Sequence, residues 1–207
     1  MKVLIGCEES QAVCMAFRAK GHEAYSADLQ PCSGGYPEWH IQGDVFDVID
    51  DGWDMGIFHP PCTHLAVSGS RHFKKKRADG RQQGGIDLFM RFTKTNIPLV
   101  CIENPVCIMS TIWRKPDQII QPYYFGDEGM KTTCLWLKGL PLLMHYAEDD
   151  MFDKKTHVGK GEFVDMPNGS RISKWYCETS RLPIAIRGKV RSKTFPGIAN
   201  AMAQQWV

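Results

Sequence analysis

The sequence lacks several patterns that would assign it to a class at once. None of its eight cysteines forms a CxxC pair, which argues against a cysteine-rich zinc site of the usual spacing. No apolar run is long enough to span a bilayer. Met1 and Lys2 lead into a short apolar run that soon turns polar, so no secretion signal is predicted. We therefore expect a cytoplasmic protein with reduced thiols, no bound metal and no membrane partner.

Excess charge and repeats are missing as well. The net charge is only +2 over 207 residues, so any attraction to nucleic acid must come from local patches. There is no internal repeat and no low-complexity tract. Hydrophobic residues make up 43% and charged residues 23%, which is typical of a globular protein. The length suits one domain with a core, or a domain with a small appendage.

What is present is an alternation of strands and helices. Short apolar runs predict strands, and apolar residues at helical spacing predict helices. The predicted strands are 2–6, 22–29, 53–58, 98–105 and 131–137, and the predicted helices are 9–20, 83–95 and 195–206. This alternation indicates an α/β fold with a doubly wound, mostly parallel sheet and a short irregular insert.

The chain divides into three predicted parts. We expect a cofactor-binding and catalytic domain over 1–139, a small polar insert over 140–193, and a C-terminal helix within 194–207 that packs back on the catalytic domain. The insert is rich in aromatic and basic residues, with little core of its own.

Polar or small residues recur where the predicted strands end. These residues are Gly6, Asp28, Asp44, Cys62 and Glu103. In open α/β sheets, ligands bind outside the carboxyl ends of the strands. Topology alone therefore predicts that these five residues lie along one edge of the sheet.

The first strand runs into a turn in "VLIGCEESQAV". Backbone amides at the start of the following helix suit a nucleotide-like cofactor. The turn does not have the sequence GxGxxG, so the prediction of a dinucleotide cofactor is only weakly supported. Asp28 stands where an acidic group commonly binds ribose hydroxyls, and Asp44 can accept a hydrogen bond from an adenine amino group. The alternative is that Asp28 and Asp44 are ordinary surface-loop aspartates.

Cys62 lies in "HPPCTHLAVSGSRHFKKK". The two prolines stiffen the loop and remove two amide donors, and a thiolate is a strong nucleophile. The cations of Arg71 and of residues 74–77 would favour the thiolate if they fold over it. The alternatives are an inert cysteine, or a metal site formed by His59, Cys62 and His64, whose spacing is unlike a common zinc motif.

Two further groups have chemical and structural interpretations. Glu103, if buried, would have a raised pKa and could donate a proton to a ring nitrogen; otherwise it caps a helix or pairs with arginine. The basic run 71–81 is either a solvated loop or a phosphate contact made by Arg71, Lys74, Lys75, Lys76 and Arg77. A weaker basic set is Arg187, Lys189, Arg191 and Lys193, and Trp175 and Tyr176 are candidates for stacking on bases.

The first-strand turn, "GDV", "PPC" and "IENP" occur in that order, and the chain ends in a predicted helix. This order resembles the DNA cytosine-C5 methyltransferases, in particular the compact proteins of phages and prophages. The resemblance covers about the first two thirds of the chain and the last helix. It implies a Rossmann-like methyltransferase fold, S-adenosylmethionine as cofactor, and DNA, single-stranded or with the target base flipped out, as partner.

The resemblance also implies roles for individual residues. The cofactor would contact Gly6, Cys7, Glu8, Asp28, Leu29, Asp44, Val45 and Pro60. Cys62 would add to C6 of cytosine, and Glu103 would hold or protonate N3. Asn104 would brace the loop that carries Cys62, and Lys131 would supply a cation.

The sequence departs from the family pattern at several positions. The first turn is "IGCEE" in place of aromatic-x-Gly-x-Gly, and Thr63 stands where the family has glutamine. The stretch 140–190 is short for a target-recognition domain, which predicts little or short sequence specificity. Two alternatives remain: the same chemistry on a free nucleotide or RNA, and a non-catalytic adenosyl- or DNA-binding module of the same fold.

Overall fold

The computed structural model describes residues 1–148 and 155–207. One mixed sheet contains the strands β1 (Lys2–Gly6), β2 (Glu23–Asp28), β3 (His40–Gln42), β4 (Met55–Phe58), β5 (Leu99–Pro105), β6 (Gln118–Ile120) and β7 (Thr133–Lys138), and a separate ribbon contains β8 (Phe163–Asp165) and β9 (Arg171–Ser173). The α-helices are α1 (Ala12–Ala19), α2 (Phe73–Ala78), α3 (Arg81–Phe92), α4 (Met109–Ile112), α5 (Lys174–Arg181), α6 (Ile184–Ser192) and α7 (Pro196–Gln205). Short 3₁₀ helices cover Pro37–Trp39, Val45–Asp47, Val67–His72 and Pro122–Phe125.

The strand order of the sheet is β3-β2-β1-β4-β5-β7-β6. The first five strands are parallel, and β7 runs antiparallel to both β5 and β6. This confirms the predicted α/β, doubly wound, mostly parallel sheet. The order reverses between β1 and β4, and in such sheets the ligand crevice lies at that reversal, outside the carboxyl ends of the strands.

The core lies on both faces of the sheet because successive strand residues point to opposite sides. Val3 and Ile5 of β1 join one buried cluster with Phe17 of α1 and Met202 of α7. Leu4, between them, joins the other cluster with residues such as Phe58, Phe89 and Trp136. A strand buried on both faces reads as a continuous apolar run, which is why "VLI" was recognisable in the sequence.

The closing helix α7 packs against α1 and is held at both ends. The Gly197 amide donates to the Asp127 carboxylate (2.6 Å), and the indole of Trp206, which directly follows the helix, donates to the Pro141 carbonyl (2.9 Å). A methyl group on Gly197 would lie 1.9 Å from the Phe125 carbonyl oxygen. Only glycine therefore allows this close approach of helix and loop.

Gly197→Ala tests how strictly α7 is docked. We expect a loss of about 1–3 kcal/mol of unfolding free energy, because the backbone must shift to admit the methyl group. In a domain of this size, this loss lowers the Tm by roughly 2–10 °C. Gly188→Ala in α6 is the matched control, because its methyl group meets nothing within 4 Å and alanine favours a helix. A Gly197→Ala Tm at or above that of the wild type would contradict the docking.

The insert has more regular structure than predicted. Residues 163–192 form the β8–β9 ribbon and the helices α5 and α6, so the prediction of an irregular segment is wrong there. Thr179 is the only buried residue of α5, and α6 has none; the two helices therefore lack the apolar stripe by which a helix is recognised. The part of the predicted insert at 149–154 lies outside the described residues.

Two sheet strands were also missed by the sequence prediction. β3 and β6 have three residues each, too few to show a pattern of period two. Across residues 1–148 and 155–207, none of the helices has the length and apolar character needed to cross a membrane.

Candidate active site

The turn after β1 forms one side of the crevice. Cys7 and Gln11 both adopt positive φ angles, 59° and 57°, a left-handed conformation that non-glycine residues adopt infrequently. A methyl group on Gly6 would lie 2.7 Å from the Phe58 ring and 2.9 Å from Val45. Gly6 and Val45, both predicted cofactor residues, therefore shape the floor of the turn. Because residues 9–11 belong to the turn, α1 begins at Ala12, later than predicted.

Glu8, predicted along the methionine part of the cofactor, lies at the N-terminus of α1. Its two carboxylate oxygens accept hydrogen bonds from the amides of Val13 (2.7 Å) and Cys14 (3.2 Å). Burial raises the pKa of Glu8, against the opposing charge of His59 and the two amide hydrogen bonds. An internal carboxylate thus occupies the position where a helix N-terminus would attract a phosphate. This disfavours a pyrophosphate-bearing dinucleotide at the turn.

Glu9 and Gln11 organise the same turn. Within the described residues, Glu9 Oε2 is buried without a hydrogen-bond partner, and buried acceptors of this kind require a donor. The Glu9 carbonyl accepts from the amide of Ser33 (2.8 Å). The Gln11 side chain exchanges two hydrogen bonds with the backbone of Tyr36 (2.8 and 3.1 Å). The 33–36 loop is therefore held against the turn.

Asp28 and Asp44 lie close enough to Cys7 to change its protonation. Burial, Asp28 and Asp44, in that order, raise the pKa of Cys7 to about 12. Each aspartate orders its own loop through one oxygen, which accepts from the amide two residues later (Gln30 and Phe46). Sheet topology thus brings together the three residues that the sequence assigned to one ligand.

Leu29 is unusual because its apolar side chain is 74% exposed. It follows Asp28 directly, at the same end of β2. An exposed apolar surface beside two carboxylates matches a ligand with a flat ring and hydroxyl or amino donors.

The loop carrying Cys62 is fixed from both neighbouring strands. The His59 amide donates to the Gly6 carbonyl (2.9 Å), and the Asn104 side-chain amide donates to the Pro60 carbonyl (2.8 Å). The Cys62 carbonyl accepts from Leu65 and Ala66. Asn104 therefore makes the bracing contact that the resemblance implies. Pro60 is buried and takes part through its carbonyl.

Cys62 is partly buried, and its thiol differs from the expectation. Burial and the charge of Glu103 raise its pKa, and Lys131 and Lys76 only partly oppose them. The free protein thus holds a neutral thiol at neutral pH, which corrects the expectation that nearby cations would favour a thiolate. Of the basic run, Lys76 does fold over the loop: it is buried, and its Nζ donates to the Thr63 carbonyl (2.6 Å).

Glu103 also departs from the prediction. Burial raises the pKa of this carboxyl, but the hydrogen bond from His59 and the charges of Lys131 and His59 outweigh burial and hold the pKa below its ordinary value. The expectation of a raised pKa is therefore wrong for the free protein. Glu103 is buried and ionised, beside a neutral Cys62.

His59 is the site residue that the sequence analysis did not assign to catalysis. Its Nδ1 lies 3.1 Å from Glu103 Oε2, and only 9% of the His59 side chain is exposed. Because an ionised carboxylate only accepts hydrogen bonds, Nδ1 carries a proton. Within the described residues its Nε2 is buried without a partner. The available signal was its position directly after the buried strand β4 and before the two prolines.

The predicted metal alternative finds no support in the described part of the chain. In residues 1–148 and 155–207, no group of three or more His, Cys, Asp or Glu side chains is arranged to hold a metal ion. His59 instead contacts Glu103, and His64 is a partly buried residue whose pKa is lowered by burial and by Lys76.

The predicted cations divide into two that hold parts of the site together and four that are exposed. Lys131 Nζ donates to the carbonyls of Ser192 (3.3 Å) and Lys193 (3.1 Å), so it ties the end of α6 to the crevice. Lys76 holds the Cys62 loop, which corrects its predicted role as a phosphate contact. The other members of the predicted nucleic-acid set are exposed: Arg71, Lys74, Lys75 and Arg77.

The weaker basic set is also divided. Arg191 donates to the Thr179 and Ser180 hydroxyls, and Arg187 donates to the Ser180 carbonyl (3.1 Å). These two arginines hold α6 to α5. Lys189 and Lys193 are exposed.

The crevice therefore joins two halves. One is the Cys7 turn with Asp28, Leu29 and Asp44, and the other is Cys62 with Glu103, under the charges of Lys131 and Lys76.

A scan of protein-family models and a search of curated proteins each find no match to this chain.

Proposed function

We propose that this protein transfers a methyl group from S-adenosylmethionine to C5 of cytosine in DNA, through a covalent bond between Cys62 and C6. One observation carries the proposal: the charge of Glu103 acts on the Cys62 thiol at the crevice, and Asn104, the neighbour of Glu103 on β5, holds the Cys62 loop through the Pro60 carbonyl. A thiol beside a carboxyl is the pair needed to add a nucleophile to a pyrimidine ring and to protonate that ring.

The first half of the crevice fits S-adenosylmethionine. This molecule carries an ammonium, a sulfonium and a carboxylate but no phosphate, which suits a helix N-terminus whose Val13 and Cys14 amides are already bonded to Glu8. The unpaired Glu9 Oε2 is an acceptor for the ammonium group. Asp28 would accept from the ribose hydroxyls and Asp44 from the adenine amino group, with Leu29 against the ring. When bound, the cofactor supplies an electrophilic methyl group.

The protein's own part in the reaction begins with one proton. The free site holds a Cys62 thiol and a Glu103 carboxylate, whereas addition needs a thiolate and a protonated N3. As the sulfur bonds to C6, the S–H bond breaks, and the proton passes to Glu103 and on to N3. The electrons of the C5–C6 double bond move to C5, which becomes nucleophilic. After methylation, solvent water takes the C5 proton, the electrons of that C–H bond re-form the C5–C6 double bond, and the C6–S bond breaks with its electrons returning to the Cys62 sulfur. The N3 proton then returns through Glu103 to the thiolate, which restores the neutral ring and the thiol.

His59 and Asn104 act as positioning residues in this proposal. The hydrogen bond from His59 fixes the orientation of the Glu103 carboxylate and keeps it ionised, ready to take the thiol proton. Asn104 fixes the loop through Pro60. Holding two reacting groups in a set geometry lowers the entropic part of the barrier.

DNA as substrate is favoured by the exposed cations that follow the nucleophile. Arg71, Lys74, Lys75 and Arg77 lie within residues 71–77, just beyond Cys62, where they can contact phosphates. The target cytosine must be unstacked or single-stranded to reach a crevice at a sheet edge.

Incubation with S-adenosylmethionine and cytosine-containing DNA, followed by mass spectrometry of the nucleosides, tests the proposal. We expect 5-methyldeoxycytidine. Methylation of dCMP or RNA but not of DNA would overturn DNA as the substrate. Normal cofactor binding without any methylated cytosine would overturn the methyl-transfer assignment.

Asp28→Asn and Asp44→Asn test the cofactor half separately. Each change replaces a charged hydrogen-bond acceptor by a neutral one, which we expect to weaken S-adenosylmethionine binding by about 10- to 100-fold. Isothermal titration calorimetry measures the Kd. Asp50→Asn is the matched control, because Asp50 is exposed and lies beyond the Val45–Asp47 turn. Equal affinity in Asp28→Asn, Asp44→Asn and Asp50→Asn would place the cofactor elsewhere.

A further inference from the structure

A second pocket, of about 250 Å³, lies between the loop before β7 and the insert. The residues that line it include Glu128, Gly129, Gly161, Lys174, Trp175 and Glu178. Both glycines have positive φ angles. A methyl group on Gly161 would lie within 4 Å of Gly129, so loop and insert meet closely there.

This pocket adjoins the catalytic crevice. The Trp175 ring packs against Phe195 with centroids 5.7 Å apart, and Phe195 also lines a small cavity with Glu103 and Lys131. Through Phe195, the wall of the second pocket continues into the wall of the proposed catalytic site. A molecule in the crevice that extends beyond a single ring therefore meets the second pocket next.

The size and chemistry of the pocket suit one nucleobase. Its volume lies below the roughly 300–1,000 Å³ typical of pockets for drug-sized ligands. Trp175 offers an aromatic surface on which any base can stack. Glu128 and Glu178 are acceptors for the exocyclic amino groups of bases, and their charges repel phosphate. Glu162 is already paired with Lys174 (2.6 Å).

The surroundings of the pocket attract a polyanion. Residues 171–193 contain seven Lys and Arg and one Glu, a net charge of +6 in a chain whose total is +2. The remaining residues therefore carry a net charge of −4. Phosphates are drawn to this helical segment, whereas the carboxylates at the pocket exclude them from its interior.

We propose that the second pocket holds the base next to the target cytosine, stacked on Trp175, while the phosphates of the same strand contact the α5–α6 segment. The proposal rests on the proposed function, because it takes the cytosine to lie at Cys62. In this proposal the insert recognises one base beside the target cytosine. That agrees with its length, because the insert is too short to recognise a longer DNA sequence.

Binding of short single-stranded DNA, followed by fluorescence anisotropy, tests the pocket without any need for catalysis. Each oligonucleotide has one cytosine and an abasic site immediately 5′ or 3′ of it, or no abasic site. The variants are Trp175→Ala and Trp175→Phe. A third, Glu178→Gln, has Glu23→Gln as control, because Glu23 is an exposed residue at the start of β2. Thermal unfolding of each variant confirms its fold.

We expect one of the two abasic sites to weaken wild-type binding by about tenfold, the typical effect of one stacked base. The same abasic site has no effect in Trp175→Ala and an intermediate effect in Trp175→Phe. In oligonucleotides without an abasic site whose flanking base is adenine or thymine, Glu178→Gln reduces any preference for adenine, and Glu23→Gln does not. If Trp175→Ala does not fold, the abasic penalty of Trp175→Phe and the base preference of Glu178→Gln are compared with those of the wild type instead.

Equal abasic penalties in wild type and Trp175→Ala, or no penalty in the wild type, would overturn the pocket and leave the methyl-transfer proposal intact. A penalty that depends on Trp175, in a protein that methylates no cytosine, would retain the pocket and remove the catalysis. Absence of binding to every oligonucleotide would overturn both.

Discussion

If the protein transfers a methyl group to cytosine as proposed, we expect Cys62→Ala to reduce that transfer by a factor on the order of 10⁴ or more, the scale seen when a covalent nucleophile is deleted. In the proposed mechanism the thiol forms the bond to C6, and neither water nor alanine replaces it. We expect S-adenosylmethionine binding to be unchanged, because the predicted cofactor residues other than Pro60 lie at the ends of β1 and β2 and in the Asp44 loop, and Pro60 takes part through its backbone carbonyl, which the substitution leaves in place. Initial rates of methyl incorporation into DNA and calorimetric cofactor binding measure the two quantities.

Cys177→Ala is the control for removal of a cysteine. Cys177 is a partly buried free thiol on α5 that lines neither the cavity at Glu103 nor the second pocket, and we expect its replacement to leave the rate unchanged. Turnover by Cys62→Ala at the rate of Cys177→Ala would exclude a covalent mechanism through this residue.

We expect Glu103→Gln to lower the rate of methyl transfer and, at the same time, to raise the reactivity of the Cys62 thiol. Methyl transfer falls by about 10²- to 10⁴-fold, the usual contribution of a positioned acid or base, because glutamine cannot carry the thiol proton to N3. At the same time the pKa of Cys62 falls, since Glu103 is a major cause of its elevation after burial. The variant is therefore a poorer enzyme with a more reactive thiol.

Alkylation of Cys62 by iodoacetamide as a function of pH measures the second effect, because only the thiolate reacts. The midpoint of the reaction moves to lower pH in Glu103→Gln than in the wild type. Glu23→Gln, with its carboxylate at the opposite end of the sheet's strands, leaves the midpoint in place. An unchanged midpoint in Glu103→Gln would show that the carboxylate does not act on the thiol.

The placement of the site was predictable from the sequence because it follows from topology. Apolar runs mark β1, β4 and β5, and the polar residues that follow them necessarily meet at one edge of a parallel sheet. Cys62, Glu103 and the Cys7 turn lie there for that reason. The bracing contact of Asn104 with Pro60 follows from the same adjacency of β4 and β5.

Protonation states were not predictable in the same way. The pKa of Glu103 depends on a balance between burial, which raises it, and His59 and Lys131, which lower it. His59 lies 44 residues before Glu103, directly after β4, and Lys131 lies in the loop before β7. The sequence pattern identifies the carboxyl group, but it does not show whether the pKa of that group is raised or lowered.

The roles of individual charged side chains also required three-dimensional contacts. Lys76 looks like its neighbours in "KKKR", yet it alone of that run is buried, on the carbonyl of Thr63. Glu8 caps α1 from within the turn, a contact that depends on the left-handed backbone at Cys7 and Gln11. Hydrophobic periodicity carries no information about such local hydrogen bonds.

The most direct test of the covalent mechanism uses an oligonucleotide with 5-fluorocytosine at the target position. The fluorine at C5 cannot leave as a proton does, so the enzyme remains attached after methylation. With S-adenosylmethionine present, peptide mass mapping should find the methylated fluorocytosine adduct on Cys62 and on no other cysteine. Cofactor and DNA binding without an adduct at Cys62, or an adduct at another residue, would contradict the mechanism proposed for this site.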